Sequence, residues 1–288
     1  MTNISTRAML VDLSIKQWAA AKHDKKVSRE VADNHGNDVA MGRFNKQLLG
    51  KGALETIKKI AGAARTEHYK RTLPWSEDGA RILSSTGYFD YSQKMREFQY
   101  EWENAVRDFE HDYPQFVSEA RARLNGLFND TDYPSVGAIA DKFAFGYNVF
   151  PLPSANDFRV DLGNSETERI KRDLQTQLDA TLDKAMEDVW GRMRDVVSHM
   201  CERLRAYNVD ANGVSNPFRD SLVQNVRDLV ELLPSLNVTN NGNIADFSER
   251  INRELTKYSA ESLRVSDHAR NEVASAAETI LKQMGDFI

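Results

Sequence analysis

Residues Ser165 to Tyr207 constrain the fold more than any other stretch, because one apolar stripe runs through all forty-three of them without a proline. Ser165, Glu166, Thr167 and Glu168 match the capping box, in which a serine hydroxyl and the carboxylate three residues on satisfy two free backbone donors. Ile170, Leu174, Leu178, Leu182, Met186, Val189, Met193, Val197, Met200 and Leu204 then recur at steps of three or four. A helix of this length spans ~65 Å, more than a compact domain of this size needs. Its first steps are all fours, so the stripe drifts around the axis and departs from the repeat of about 3.5 residues of a left-handed coiled coil. The architecture that follows has several neighbours packing in turn against one spine, with a dimerising rod as the alternative. In either case Leu174, Leu178, Leu182, Met186, Met193 and Val197 form the core or oligomer seam.

The chain before this spine mixes strands and helices. Met9 to Trp18 alternates, with Val11, Leu13 and Ile15 on one face and Asp12, Ser14 and Lys16 on the other, which predicts a strand with one wet face. Ala19 to His35 reads as a helix stopped at Gly36, Val39 to Leu49 as a second, and Ala53 to Arg71 as a third. The third buries Leu54, Ile57, Ala61 and Ala64 and sets Lys51, Lys58 and Arg65 on a shared face. Leu73-Pro74-Trp75-Ser76 reads as a turn, since the residue before a proline is pushed out of helical geometry, and Arg81 to Ser84 as a short strand. Asp90 and Gln93 signal another helix start, with Tyr91, Met95, Phe98, Trp102, Val106 and Phe109 along its buried face. Pro114 is expected to break or restart that helix, whose pattern continues to about Leu127. After a loop from Asn129 to Pro134, Phe143 to Val149 alternates as a second strand and Asp157 to Leu162 as a third. A lone hairpin is marginal in water, so the Met9 to Trp18 strand is expected to complete the sheet.

Beyond Tyr207, a loop from Asn208 to Ser215 precedes a helix that starts at Asn216-Pro217 and stops at Pro234. Further helices are expected from Asn243 through Tyr258 and from about Ser262 to Met284. The expected fold class is therefore mainly α, a long-helix bundle with a small antiparallel β-sheet of about three short strands in the N-terminal half. The corresponding division puts an α+β domain at residues 1–164, with a basic segment at 1–72, and a helical domain at 165–288 built on the long helix 165–207.

Apolar residues make up 41% of the chain, enough for a sizeable core, and only seven prolines and no long polar tract argue against extensive disorder. The single cysteine, Cys201, rules out an intramolecular disulfide and a cysteine-rich zinc site. No run approaches the ~18 apolar residues of a membrane span, and Met1-Thr2-Asn3-Ile4-Ser5 lacks the pattern of a signal peptide. The expectation is a soluble protein of a reducing cytoplasm with no membrane partner.

Net charge is -5, yet residues 1–72 hold fourteen Lys/Arg against seven Asp/Glu, whereas residues 73–288 hold twenty-four against thirty-six. The two ends are thus expected to face different partners or each other. Lys22, Lys25, Lys26, Arg29, Arg43, Lys46, Lys51, Lys58, Lys59, Arg65, Lys70 and Arg71 form a set that would attract phosphates of single- or double-stranded DNA, or of RNA. Trp18, Phe44, Tyr69 and Trp75 lie among them as candidate base-stacking groups. The plain alternative is that these charges solvate two helices or pair with the acidic remainder of the chain.

Signatures of catalysis are missing. Gly50-Lys51-Gly52 has two glycines of a dinucleotide fingerprint but Glu55 where the third belongs, and Lys51 is followed by glycine in place of the Ser/Thr of a phosphate-binding loop. The histidines at 23, 35, 68, 111, 199 and 268 are scattered, and His199 and Cys201, two apart on a helix, point away from each other. Glu101 with Glu103, and Asp183 with Glu187, read as solvated helix faces. No catalytic residue, metal site or cofactor is expected.

Met9-Leu10-Val11-Asp12-Leu13-Ser14-Ile15, Leu73-Pro74-Trp75, Arg123-Leu124-Asn125-Gly126-Leu127 and Asp157-Phe158-Arg159-Val160-Asp161-Leu162-Gly163 give residues 7–165 a further character. This region resembles a family of uncharacterised proteins found mainly in bacteriophage and prophage genomes. The resemblance carries no catalytic residue; it implies a setting, a bacterial host cytoplasm in which small non-enzymatic proteins manage phage DNA, bind host factors or inhibit defence systems. The leading expectation is a phage-type, nucleic-acid-associated, homo-oligomeric helical protein that binds DNA through its basic segment. An adaptor that engages a host factor or a partner ATPase without nucleic acid is the alternative, and an enzyme whose site is assembled from distant residues is the third.

Overall fold

The computed structural model describes residues 4–36, 38, 42–76, 79–154, 164–210, 213–285 and 287. Its chain order is β1 (Ala8–Lys16), β2 (Ala21–His23), α1 (Lys25–Asn34), β3 (Asn45–Gln47), α2 (Glu55–Arg71), β4 (Leu73–Pro74), β5 (Arg81–Ser84), α3 (Tyr88–Leu124) and β6 (Ala144–Pro151). There follow α4 (Asn164–Ala206), β7 (Asn208–Asp210), β8 (Gly213–Ser215), α5 (Ser221–Leu236), α6 (Gly242–Leu255), α7 (Ala260–Val265) and α8 (Asp267–Met284). The fold is mainly helical, with a small sheet in the order β4-β5-β1-β6 and two short ribbons, β2-β3 and β7-β8. No described helix is long and apolar enough to cross a membrane. The expected strand Asp157 to Leu162 lies outside the described residues.

Two compact units divide the chain, and the division does not follow a cut at residue 164. The first unit holds Met1–Asp12, Tyr69–Tyr91 and Val149–Ile288; the second holds Leu13–His68 and Ser92–Asn148. Strand pairing is the reason the early segments join the C-terminal helices. Ala8 to Val11 pair antiparallel with Ser84 to Arg81, and Leu73 pairs with Ile82. Leu10, Leu73 and Ile82 are then buried in the same apolar cluster as the C-terminal helices. Leu73-Pro74, expected as a turn, is an edge strand, a place where a residue without an N–H is tolerated.

In the first unit α4 is unbroken over 43 residues, as its periodicity demands. Its second half is the spine of the core: Val189, Met193, Val197 and Met200 are fully buried and α4 packs chiefly against α8 and then α5. Its first half differs, and between Ser165 and Lys184 no side chain of α4 is buried. Of the expected seam, Met186, Met193 and Val197 are therefore committed to the chain's own core, while Leu174 is 37% exposed and Leu178 and Leu182 are partly buried. Arg192 of α4 donates to the carbonyls of Lys70 (2.9 Å), Tyr69 (3.1 Å) and Thr72 (2.9 Å), satisfying acceptors that the end of α2 leaves open.

Several C-terminal expectations are corrected. Asn208 to Ser215 contains the β7-β8 hairpin in place of a plain loop. Asn216 takes a left-handed φ of 52° and its side chain donates to the Ala206 carbonyl, so helix α5 starts five residues later, at Ser221. Pro234 falls in the last turn of α5 without stopping it, because Leu233 and Leu236 on either side are both buried. The last expected helix is two: Ser266 interrupts it at φ -104°, ψ 109°, and its hydroxyl accepts the Ala269 N–H at 3.2 Å as the cap of α8. Val265, the last residue of α7, is consequently 83% exposed. Replacing Ser266 by alanine should cost ~1 kcal/mol of stability in denaturant unfolding, the usual loss for a serine cap; an unchanged midpoint would show that the break does not depend on the hydroxyl.

In the second unit the expected aromatic face of α3 is realised, with Trp102, Phe109 and Tyr113 buried against Phe143 and Ile139. Phe143 meets Trp102 and Phe109 edge-on, at centroid distances of 6.4 and 5.4 Å. Pro114 neither breaks nor restarts α3, which runs 37 residues through it. Phe109 and Tyr113 before the proline, and Phe116 and Ala120 after it, all pack inward, and that burial outweighs the one backbone hydrogen bond a proline removes. Ala19 to His35 is also not one helix. Ala20 takes a left-handed φ of 48°, β2 follows, and Asp24 caps α1 by accepting the N–H groups of Lys26 and Val27, each at 3.1 Å. Of the expected helix Val39 to Leu49, residues 39–41 lie outside the described set and Asn45–Gln47 is a strand.

Candidate nucleic-acid interface

The β2-β3 ribbon sets Lys22 directly opposite Lys46, a like-charge pairing that is unfavourable without compensation. Asp132, on a 3-10 turn, supplies it: one carboxylate oxygen is 2.6 Å from Lys22 Nζ and the other 2.7 Å from Lys46 Nζ. Lys46 is 5% exposed, also donates to the Leu127 carbonyl at 2.7 Å, and has Asp24 at 3.6 Å. Burial pushes the Asp132 carboxyl up, and the hydrogen bonds from Lys22 and Lys46 more than reverse this, so it ends below the ordinary carboxylate range. The Val27 N–H, with Lys46, holds Asp24 below that range too. Lys22 and Lys46, both in the expected phosphate-binding set, are thus spent on internal structure.

Other members are engaged as well. Arg65 donates to the Ile15 carbonyl at 3.3 Å, so only Lys51 and Lys58 of the expected three-residue face remain. Tyr69, Lys70 and Arg71 belong to the first unit, where Lys70 pairs with Asp228 (3.6 Å) and Arg71 with Asp90 (4.0 Å). Lys26 meets Glu30 at 3.9 Å with both side chains largely in solvent, a contact worth little. Lys25, Arg29, Arg43, Lys51, Lys58 and Lys59 make no ion pair among the described residues, and all six lie exposed in the second unit.

Lys51 and Lys58 share an open cleft of about 500 Å³ with Gln47, Leu49, Glu55 and Arg123. The turn Gly50-Lys51-Gly52 forms its lip. Gly52 has φ +108°, a conformation that side chains disfavour, and its carbonyl accepts the Glu55 N–H at 2.9 Å as α2 begins. Arg123, in the last turn of α3, donates to the Gln47 carbonyl at 3.3 Å and brings a third cation to the rim. Three cations against one carboxylate make the cleft locally basic, and all four charged groups are exposed. Such a surface suits reversible contact with phosphate oxygens. Arg123 was not in the expected set; two arginines in a helix's closing turn, Arg121 and Arg123, are the signal that could have found it.

The aromatic groups are placed less favourably. Trp18 is partly buried, edge-on to Tyr113 at 6.0 Å. Tyr69 carries the Arg81 guanidinium 4.7 Å above its ring, and Trp75 packs on the first unit's core. Tyr69 is 55% exposed but in the first unit, so Phe44, 40% exposed, is the expected stacking group left open in the unit that holds the unpaired cations. As for catalysis, His199 is exposed and Cys201 buried, on different faces of α4 as their spacing requires, and burial pushes the Cys201 thiol up, away from the reactive thiolate.

The second unit as a whole carries seventeen Lys/Arg against sixteen Asp/Glu, so acidic α3 largely offsets the basic N-terminal segment. Local placement, not net charge, distinguishes this surface. No protein-family model, curated protein or solved structure matches the chain.

Proposed function

We propose that this chain is a non-enzymatic, nucleic-acid-associated protein that holds the phosphate backbone through the cleft at Gly50–Gly52. The observation that carries this reading is the survival of Lys51, Lys58 and Lys59 as exposed, unpaired cations where Lys22, Lys46 and Arg65 around them are consumed by internal contacts. Lys25, Arg29 and Arg43 extend the basic surface. With Phe44 the one exposed member of the expected stacking set in this unit, the contact is mainly electrostatic and indifferent to sequence. In the setting implied by the resemblance to phage and prophage proteins, such a protein would coat or manage DNA in a bacterial cytoplasm.

Fluorescence anisotropy with single- and double-stranded DNA and with RNA, across a salt series, tests the reading. Lys51→Gln/Lys58→Gln/Lys59→Gln should weaken binding and lower the slope of log K against log salt by roughly 2–3, the loss of three phosphate contacts. Arg65→Gln serves as the control and should leave that slope in place. No binding by the native chain at low salt, or a slope unmoved by the triple substitution, would remove the proposal.

A further inference from the structure

Between α4 and α5 lies an open recess of about 320 Å³ whose charged lining is basic and includes no carboxylate. From α4 come His199 and Arg203, four residues apart and so on one face; α5 gives Ser221 and Asn225 at the same spacing, and Arg219 stands just before it. None of these five side chains has a hydrogen bond or an ion pair among the described residues. This openness is not for want of partners. The first unit carries twenty-one Lys/Arg against twenty-seven Asp/Glu, and Arg192, Arg205, Arg250, Arg264 and Arg270 each hold one of those acids.

The segment that carries Arg219 is fixed in advance. Phe218 is buried with its ring 5.1 Å from that of Tyr207, and its carbonyl accepts two hydrogen bonds from Arg264, at 3.1 and 3.0 Å. Arg264 also pairs with Asp220, the carboxylate next to Arg219 in the chain, and so occupies it. Asn216 ties the start of the segment to the Ala206 carbonyl at 3.2 Å. With the backbone held in this way, binding has less to order.

We infer that this recess binds the phosphate of a small phosphomonoester. Two guanidinium forks, an imidazole, an amide and a hydroxyl supply donors from both helices and the segment that leads into α5. A phosphomonoester accepts through three terminal oxygens, and its charge of about -1.5 to -2 at neutral pH is met by two arginines with no carboxylate opposing them. A planar carboxylate offers two oxygens and less charge. The volume is at the lower end of the range of about 300–1,000 Å³ for ligand pockets, which leaves room for one sugar ring beside the phosphate, with Pro217 and Phe218 as an apolar wall.

Isothermal titration calorimetry on the full chain, with no nucleic acid present, tests this separately from the proposed DNA contact. Ribose 5-phosphate should bind and ribose should not. Inorganic phosphate should bind ~3-fold or more weakly than the ester, because it leaves the apolar wall uncovered. Arg203→Gln and Arg219→Gln should each weaken ribose 5-phosphate by ~10-fold or more, the loss of a charge-assisted hydrogen bond. Both arginines are exposed, so the variants should unfold at the native temperature. Arg194→Gln removes an exposed cation of α4 that does not border the recess, and should leave the affinity unchanged. No binding of ribose 5-phosphate at ~10 mM, tenfold above the ~1 mM of weak complexes, overturns the inference. So does acetate or inorganic phosphate binding as tightly as the ester, or an affinity that both arginine substitutions leave in place.

Discussion

Replacing Lys46 by alanine is expected to lower the unfolding free energy by about 3–5 kcal/mol, the range for removing one partner of a buried ion pair. The alanine leaves Asp132, whose side chain is 4% exposed, with a charge compensated only by Lys22. Asp132→Ala should cost a similar amount, because Lys22 and Lys46 would then face each other across the ribbon unscreened. A Lys46→Met/Asp132→Leu chain should recover much of the loss, since apolar groups of like volume have no desolvation penalty to meet. Urea unfolding of the four proteins provides the measurement, and a loss below about 1 kcal/mol for Lys46→Ala would mean the pair behaves as a surface contact. The same cluster sets the acid limit of the fold. Asp132 and Asp24 both titrate lower in the folded chain than unfolded, so their contribution is complete above the ordinary carboxylate range and disappears as pH falls through and below it. Asp132→Asn should flatten that decline, and an equally steep one would assign it to other carboxylates.

Two apolar positions on the same helix, Met193 and Leu174, should respond very differently. Met193→Ala removes a fully buried side chain from the core of the first unit and should cost about 2–5 kcal/mol, the transfer term plus the cavity it leaves. Leu174→Ala, nineteen residues earlier on the same stripe, should cost less than about 1 kcal/mol in dilute solution, because much of its surface is already in contact with water. The difference is a property of what faces each residue, not of the helix. Urea unfolding of the two variants provides the measurement. Equal losses at the two positions would contradict the division of α4 into a buried half and a partly exposed one.

Local pattern determined a good deal. The three-and-four spacing located α4 to within a residue at either end, at Asn164–Ala206 against Ser165–Tyr207, although Ser165, read as its cap, falls inside the helix. Arg81–Ser84 and the inward face of α3 were equally legible, because helix and strand periods are written in consecutive residues. The seven-residue spacing read Lys51 and Lys58 as neighbours on one helix face; they do share a cleft, but Lys51 lies in the turn before α2, not on the helix. The sequence did not separate the free cations from the engaged ones. Lys22 and Lys46 were indistinguishable from Lys51 and Lys58 until Asp132, 110 positions from Lys22, was brought beside them. The passage of α3 through Pro114 also depended on distant partners, the aromatic side chains packed on both sides of it. So did the half of the long apolar stripe that would be buried. Periodicity states only that a face is apolar; whether that face meets a neighbour, and whether a lysine meets an aspartate or solvent, follows from which remote segments the folded chain places against it. Those contacts, being nonlocal, were decided by the tertiary structure alone.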